Sequence, residues 1–369
     1  MTRVFFCGVL SEPSVCEIVF DREIDTEAAI LPAYRLSADA SGFPILRATA
    51  RAQIDGVLAD LDAESWDRLE YYARSSGLRP LELNIVSDTG RTEAARVYSA
   101  ETGAEEVPWD ASRWRSQWAA HFSIAAIEIM ANRGRIPPDE MASRLPTIRM
   151  RAAATVRAAS EERPRELRSN NRSASVEVIR HDRPYIDYFS VEEVTLRHPR
   201  FDGTMSEPLK RAGFLMGDAV TLLPYDPKRD QVLLIEQFRA APFLRGDPYP
   251  WVLEPIAGRI DPGETPEDAA RREAQEEAGL PLNELLFVAS GYPSPGAVTE
   301  YLYSYVALAD LPQTAAGLGG LDEEGEDIRA HVIPFDRLRA LMDSGEVDTG
   351  PLLISALWLE RERAAGRFA

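Results

Sequence analysis

Between positions 258 and 280 the sequence reads GRIDPGETPEDAARREAQEEAGL, and its local chemistry specifies a turn followed by a short helix. The Asp-Pro-Gly tripeptide at 261–263 is a turn sequence. Thr265 is a helix N-cap, Pro266 suits the first helical position, and Asp268 completes a start that resembles a capping box. Gly279 is typical of a helix C-terminus. The sequence therefore predicts a loop, a helix and a second loop, with both ends of the helix fixed.

Three glutamates of this helix, Glu273, Glu276 and Glu277, stand at i, i+3 and i+4, so their carboxylates share one face. Such crowding destabilises a helix unless Arg271 and Arg272 pair with the carboxylates or a hard cation lies among them. Carboxylate oxygens are ligands that Mg²⁺ and Mn²⁺ prefer. The chain has 41 basic and 60 acidic residues, a formal charge of −19, so a phosphorylated substrate would need a cation to offset the repulsion. The pattern predicts a site for Mg²⁺, with Mn²⁺ as the alternative.

The same segment resembles the Nudix box of Nudix hydrolases, G-x5-E-x7-R-E-U-x-E-E-x-G-U, in which U is a bulky apolar residue. The positions in register are Gly258, Glu264, Arg272, Glu273, Glu276, Glu277, Gly279 and Leu280. Ala274 stands at the first U and is a mild departure from the pattern. The resemblance assigns Glu264, Arg272 and Glu276 to catalysis. An exposed acidic helix without function is the alternative interpretation.

The resemblance implies an α/β/α sandwich that hydrolyses a nucleoside diphosphate linked to another group. Glu273 and Glu277 would be the main metal ligands, and Glu276 would be a further ligand or the partner of one. The backbone carbonyl of Ala257 would join them. Bound metal ions would bridge the phosphate oxygens, offset their charge and help to deprotonate an attacking water.

Flanking residues resemble the ADP-ribose pyrophosphatase branch of the Nudix family. The Ser-Pro-Gly sequence at 294–296 is similar to the downstream signature of that branch, as are LLPYDPKRDQVLLIEQFRAAP at 222–242 and WVLEPIAGRI at 251–260. The resemblance covers nearly all of 176–369. It implies hydrolysis of ADP-ribose to AMP and ribose 5-phosphate.

The branch also implies a set of substrate-binding residues around the box. They are Arg239, Glu254, Ser294, Pro295, Gly296 and Glu300, and the last of them would reach the terminal ribose. Two other functions stay open: a diphosphatase for another nucleotide sugar or a dinucleotide, and a non-catalytic scaffold or sensor that binds nucleotide.

An acidic segment, LDEEGEDIR at 321–329, precedes a predicted strand. The resemblance places a mobile catalytic glutamate in this loop, and alignment on EDIR puts it at Glu324. Glu324 would then be the base or a ligand of a metal-bound water, assembled when the loop closes on substrate. Glu323 and Glu326 are competing candidates for the same role. The alternative interpretation is that the segment is a solvated turn without function.

The branch commonly forms intertwined homodimers, in which N-terminal strands supply an aromatic residue and an arginine to the partner's adenine pocket. Tyr188 or Phe189, and Arg211, fall near those positions. Each of them is equally well explained as ordinary core or surface. The resemblance therefore implies a homodimer with a shared substrate pocket.

A chain of 369 residues is too long for one ordinary domain, and an apolar-poor, arginine-rich stretch at 161–175 divides it. We expect an N-terminal domain at 1–160, a linker at 161–175 and the Nudix domain at 176–369. A helical pattern runs from about 139 to 160. The expected fold is a two-domain α+β and α/β protein.

The opening sequence, MTRVFFCGVLSEP, resembles gamma-glutamylcyclotransferase-like domains, which are mixed β-barrels with helices. The tyrosine and arginine of the family's first loop are replaced here. Ala73 stands where the family carries its catalytic glutamate, and Glu70 lies one helical turn earlier. We therefore expect a domain that is not catalytic. The pairing with a Nudix domain resembles the bacterial tellurite-resistance TrgB-like proteins.

Composition excludes several other classes of protein. The apolar fraction of 45% and charged fraction of 27% are those of a globular chain, and the acidic balance disfavours nucleic-acid and membrane-surface binding. No apolar run of about 18 residues occurs. Two cysteines and four scattered histidines provide neither a disulfide framework nor a zinc site. These features favour a cytoplasmic protein with a small-molecule substrate.

Overall fold

The computed structural model describes residues 1–39, 41–100, 106–320 and 325–368. The chain forms two compact units, Met1–Asn170 and Asn171–Ala369. The division falls inside the stretch at 161–175 that was expected to be a linker. Within the described residues, no helix has the length and apolar character needed to cross a membrane.

The N-terminal unit is a closed five-stranded β-barrel with helices packed against it. The barrel order is β3-β1-β5-β4-β2, with β2 pairing back to β3 and β6 added at the edge of β2. The strands are β1 (Thr2–Phe6), β2 (Glu27–Asp39), β3 (Pro44–Leu61), β4 (Arg79–Ser87), β5 (Thr92–Ser99) and β6 (Glu106–Pro108). The helices are α1 (Pro13–Phe20), α2 (Ala63–Ser75), α3 (Ala111–Met130), α4 (Pro138–Ser143) and α5 (Leu145–Ser160).

The expected helix at 139–160 is two helices in the structure, α4 and α5, separated at Arg144. Pro146 lies in the first turn of α5, where its missing N–H costs nothing, whereas in a continuous helix it would break a hydrogen bond. The helical pattern is therefore present in two parts, and apolar periodicity alone does not register the break between them.

The C-terminal unit contains an eight-stranded mixed sheet and a separate three-stranded sheet. The large sheet follows the order β14-β15-β10-β11-β17-β16, with β12 on β11 and β13 on β10, and the small one has the order β7-β8-β9. The strands are β7 (Glu177–Ile186), β8 (Ser190–Arg197), β9 (Leu209–Leu215), β10 (Ala219–Asp226), β11 (Gln231–Phe238), β12 (Trp251–Glu254), β13 (Ile256–Arg259), β14 (Glu284–Gly291), β15 (Leu302–Leu308), β16 (Gly317–Gly319) and β17 (Ile328–Pro334). The helices are α6 (Ala240–Arg245), α7 (Pro266–Ala278), α8 (Phe335–Ser344) and α9 (Gly350–Ala364).

Helices cover both faces of the large sheet, and its central strand β10 is buried along its whole length. Alternate residues of a strand point to opposite faces. Val220 and Leu222 pack with the alanines of α7 on one face. Leu223 and Tyr225 pack with α8 and α9 on the other face. The two expected folds, a mixed barrel with helices and an α/β/α sandwich, are both confirmed.

Candidate functional site

Helix α7 begins and ends where its capping residues predict. The Thr265 hydroxyl accepts a hydrogen bond from the backbone N–H of Asp268 (3.1 Å) and donates one to the Asp268 carboxylate (2.7 Å). Gly279 follows the helix with φ of 57°, a left-handed conformation that glycine adopts at little cost. The predicted loop, helix and loop are therefore present, and the helix packs on the sheet against β10 and β13.

Gly258 in β13 lies directly against the Glu273 side chain. A Cβ atom built on Gly258 would lie 1.8 Å from Oε1 of Glu273. Only a residue without a side chain leaves room for this carboxylate between helix and strand. The glycine at this position therefore determines where Glu273 can lie.

Arg272 connects the acidic residues of the segment. Its Nε and Nη2 atoms donate to the two oxygens of Glu264 at 2.9 and 3.0 Å. Its Nη1 atom donates to Glu273 (2.7 Å) and to Glu276 (2.9 Å). Its Nη2 atom also donates to the backbone carbonyl of Arg259 at 2.8 Å. One guanidinium therefore offsets three carboxylates and joins the helix to the preceding loop and strand.

Two of the box glutamates are buried, Glu273 with 9% and Glu277 with 2% of its surface exposed. Burial raises the pKa of Glu273 to about 7, against the opposing effect of Arg272. Burial and the charges of Glu273 and Glu326 raise the pKa of Glu277 to about 9. Among the described residues, none forms a hydrogen bond with the buried Oε2 atom of Glu277. The charged form of a buried carboxylate with a raised pKa is stabilised by a nearby cation.

The carboxylates of the box and the carbonyl of Ala257 are oxygen ligands that suit a hard divalent cation. In the structure, however, the described carboxylates do not converge on one point. Within the described ranges, no three histidine, cysteine or acidic side chains converge closely enough to hold a metal ion together. Arg272 engages Glu273 and Glu276, whereas the unsatisfied oxygen of Glu277 is available. Ala257, whose carbonyl was a predicted ligand, lies in β13, and its backbone N–H acts on the Glu277 carboxylate.

Arg239 and Glu254 lie together near the box helix, as predicted substrate-binding residues should. The Nε atom of Arg239 donates to Oε2 of Glu254 at 2.6 Å. The positive charge of Arg239 acts on Glu277. Burial raises the pKa of Glu254, Arg239 opposes this shift, and the charge of Asp348 adds to it. Asp348 was not considered in the sequence because it lies far from the box along the chain.

The acidic segment is flanked along the chain by β16, which lies beside the box helix, and by β17. A Cβ atom built on Gly319 would lie 2.3 Å from the backbone carbonyl of Glu277, so the strand touches the C-terminal turn of α7. Glu326 is close enough that its charge raises the pKa of both Glu273 and Glu277. Glu323 and Glu324 lie outside the described residues, and the assignment of the base to Glu324 stays a prediction.

The Ser-Pro-Gly loop at 294–296 is exposed and is held at its ends. The backbone N–H of Phe214 in β9 donates to Ala297 (2.8 Å), and Thr299 donates back to Phe214 (3.0 Å). Glu300, after this loop, forms an ion pair with Arg259 at 2.5 Å. Arg259 was not among the predicted site residues. The signal that could have identified it is a charged residue directly after Gly258, in the variable part of the box.

Three predicted residues of the shared adenine pocket are not brought to the box helix. Tyr188 and Phe189 contact each other edge to face at 4.8 Å and are 55% and 39% exposed. Arg211 is exposed on β9, where its Nη1 atom donates to the carbonyl of Lys210 at 2.8 Å. Tyr188 and Phe189 lie in the turn between β7 and β8, and Arg211 lies on β9, so all three belong to the region of the small sheet.

In the N-terminal unit, Ala73 is completely buried in α2. Glu70 accepts a hydrogen bond from the Tyr98 hydroxyl and lies 3.7 Å from Arg96. Glu70, the carboxylate one helical turn before the position of the missing glutamate, is therefore already engaged by two residues of β5.

Comparison with known families matches both units. The NUDIX domain model matches residues 216–353, and the model for gamma-glutamyl cyclotransferase, AIG2-like, matches residues 4–116. Helices α4 and α5 lie beyond the second match.

Three curated relatives align with about half of this chain. The ADP-ribose pyrophosphatase of Escherichia coli (strain K12) is 40% identical over 190 residues, which cover 52% of this chain and 90% of the relative. The ADP-ribose pyrophosphatase of Haemophilus influenzae is 35% identical over 187 residues, covering 50% and 86%. The GDP-mannose pyrophosphatase of Enterobacter sp. (strain 638) is 32% identical over 188 residues, covering 51% and 96%.

Proposed function

Because this chain belongs to the Nudix family, we propose that its C-terminal unit hydrolyses the diphosphate bond of ADP-ribose to AMP and ribose 5-phosphate with a divalent cation. The observation that carries the proposal is the complete box, with Glu277 buried beside Glu273 and one of its oxygens unsatisfied. Relatives at 35% and 40% identity are ADP-ribose pyrophosphatases, which supports this substrate.

Glu273, Glu276 and Glu277, with the carbonyl of Ala257, would hold the cation. When bound, a divalent cation supplies positive charge to the diphosphate and lowers the pKa of water. Arg272 fixes the box helix against its loop through Glu264, and it offsets the charges of Glu273 and Glu276 where no cation is bound. These contacts keep the glutamates in a common orientation toward the substrate.

Arg239 would bind the negatively charged part of the substrate, since it lies beside the box and 40% of its side chain is exposed. Glu254 orients its guanidinium through the 2.6 Å hydrogen bond. Glu324 would accept a proton from the attacking water, and Glu326 would flank it beside Glu277. Ser294, Pro295 and Gly296 would shape the end of the pocket that receives the sugar.

The proposal is tested by incubating the full chain with ADP-ribose and Mg²⁺ or Mn²⁺ and separating the products by chromatography. We expect equal amounts of AMP and ribose 5-phosphate, and no products when EDTA is in excess. A protein that turns over no nucleoside diphosphate sugar with either cation would contradict the proposal.

A second substrate class, another nucleotide sugar, is favoured by the GDP-mannose pyrophosphatase relative at 32% identity. A panel containing ADP-ribose, ADP-glucose, GDP-mannose and NADH distinguishes the two possibilities by kcat/KM. The preferred substrate should exceed the others by at least about tenfold, the range that one well-placed polar contact provides.

We also propose that the protein is a homodimer in which the small sheet meets a second copy. Four apolar side chains of this sheet and its β7–β8 turn are between 49% and 56% exposed: Val178, Tyr185, Tyr188 and Phe214. Exposed apolar side chains gathered on one sheet mark an interaction surface. Light scattering after size exclusion should give twice the mass of the chain, 41.0 kDa. A monomeric mass at micromolar concentration would contradict this proposal.

A further inference from the structure

Arg259 lies between the box and the loop that carries Glu300. Its Nη1 atom donates to Oε1 of Glu300 at 2.5 Å and to the backbone carbonyl of Gly217 at 2.8 Å. The two side chains are 22% and 18% exposed, so the ion pair is only partly screened by solvent. A pair of this geometry fixes the orientation of both partners.

The main chain and the side chain of Arg259 form hydrogen bonds with different residues. Its carbonyl accepts a hydrogen bond from Arg272 at 2.8 Å. Because Gly258 faces Glu273, the next residue along the strand points to the opposite face. Arg259 therefore joins the box arginine through its backbone and Glu300 through its guanidinium, and a side-chain substitution affects only the second contact.

The second carboxylate oxygen of Glu300 is available to a ligand. Within the described residues, Oε1 of Glu300 is bonded to Arg259, and no hydrogen bond reaches Oε2. A carboxylate can accept about four hydrogen bonds, and the hydroxyls of a sugar are donors. The exposed loop at 294–296 ends four residues before Glu300, so a sugar bound between this loop and Glu300 could donate to Oε2.

We propose that Arg259 is a positioning residue that holds Glu300 with Oε2 directed at the hydroxyls of the substrate's sugar. This inference rests on the proposed diphosphatase function and deepens it. Without Arg259, the Glu300 side chain can rotate and must lose that freedom again whenever substrate binds. Arg259 thus acts on sugar recognition and leaves the bond-breaking step to the residues of the box.

The first test compares steady-state kinetics of the wild type and Arg259→Met with ADP-ribose. We expect KM to rise about tenfold, the scale of one charge-assisted hydrogen bond, and kcat to change by less than about threefold. Arg259→Lys should recover part of the loss because it retains the charge. Arg271→Met is the matched control, since Arg271 is exposed and makes only a long contact to the carbonyl of Leu282 (3.4 Å).

The second test uses the methyl ester of ADP, which has the same diphosphate bond but no second sugar. Arg259→Met should leave kcat/KM for this ester unchanged, and combining it with Glu300→Gln should cost no more on ADP-ribose than Glu300→Gln alone. An equal loss on ester and ADP-ribose, or additive losses in the double variant, would overturn the inference. Wild-type protein that hydrolyses neither compound would instead overturn the proposed function and the inference with it.

Discussion

Glu277→Gln is expected to lower kcat for ADP-ribose by at least about 100-fold while the protein still folds, on the scale of removing one charge-stabilising group from an active site. Glu277 is the buried box glutamate with an unsatisfied oxygen, and an amide is a much weaker ligand for a hard cation. Steady-state assays at saturating Mg²⁺ measure the effect. Glu267→Gln is the control, because Glu267 lies on the same helix and bonds only to the Tyr305 hydroxyl at 3.0 Å.

The same substitution should stabilise the metal-free protein. Burial raises the pKa of Glu277 to about 9, whereas an unfolded chain has a glutamate pKa of about 4.3. The folded state therefore holds the extra proton, and this contribution to stability is complete below about pH 4 and is lost as pH rises through about 9. In EDTA at pH 8, Glu277→Gln should melt at a higher temperature than the wild type.

In the presence of a divalent cation, the wild type should instead melt at a higher temperature than Glu277→Gln. Mg²⁺ should raise the melting temperature of the wild type and have a smaller effect on Glu277→Gln, because a ligand that binds the folded state stabilises it. Wild-type turnover in the variant, or an equal shift by Mg²⁺ in both proteins, would reject Glu277 as a metal ligand.

Gly258→Ala should lower kcat/KM by about 100-fold with little change in stability. The added Cβ would lie 1.8 Å from Oε1 and 1.9 Å from Cδ of Glu273, so the carboxylate has to move. The end of a glutamate side chain moves easily, which keeps the folding cost small. A displacement of about 1 Å in an active-site group can nevertheless cost about 100-fold in rate.

Gly291→Ala is the matched control, because a Cβ there meets no atom within 4 Å. Its kcat/KM should match that of the wild type, and its free energy of unfolding should agree within about 0.5 kcal/mol. If Gly258→Ala retained wild-type kcat/KM, the position of Glu273 against β13 would not matter for the reaction.

The features predicted best from the sequence are those determined by neighbours along the chain. The ends of α7 follow from Thr265 and Gly279, whose chemistry acts within a turn or two. The helical pattern at 139–160 was predicted, whereas the break between α4 and α5, with Pro146 in the first turn of α5, was not. Local chemistry thus predicted the box helix fully and the helices of the N-terminal unit without this break.

Contacts between distant residues could not be predicted in the same way. The sequence left open whether arginines or a cation would offset the box glutamates, because this depends on the side-chain conformation of Arg272. The ion pair of Arg259 and Glu300 joins residues 41 positions apart, so it requires the register of the strands. Glu326 was named only as a competitor for the base, and its proximity to Glu277 emerges from the packing of β16 and β17 on α7.

The hydrogen bonds of Arg272 have a consequence for how the protein matures. The chain carries an internal counter-ion for Glu264, Glu273 and Glu276, so the segment can acquire its shape during synthesis whatever the supply of magnesium in the cell. A divalent cation held by Glu273 and Glu276 would displace the guanidinium from these two carboxylates. Its apparent affinity would then reflect the competition between two positive charges.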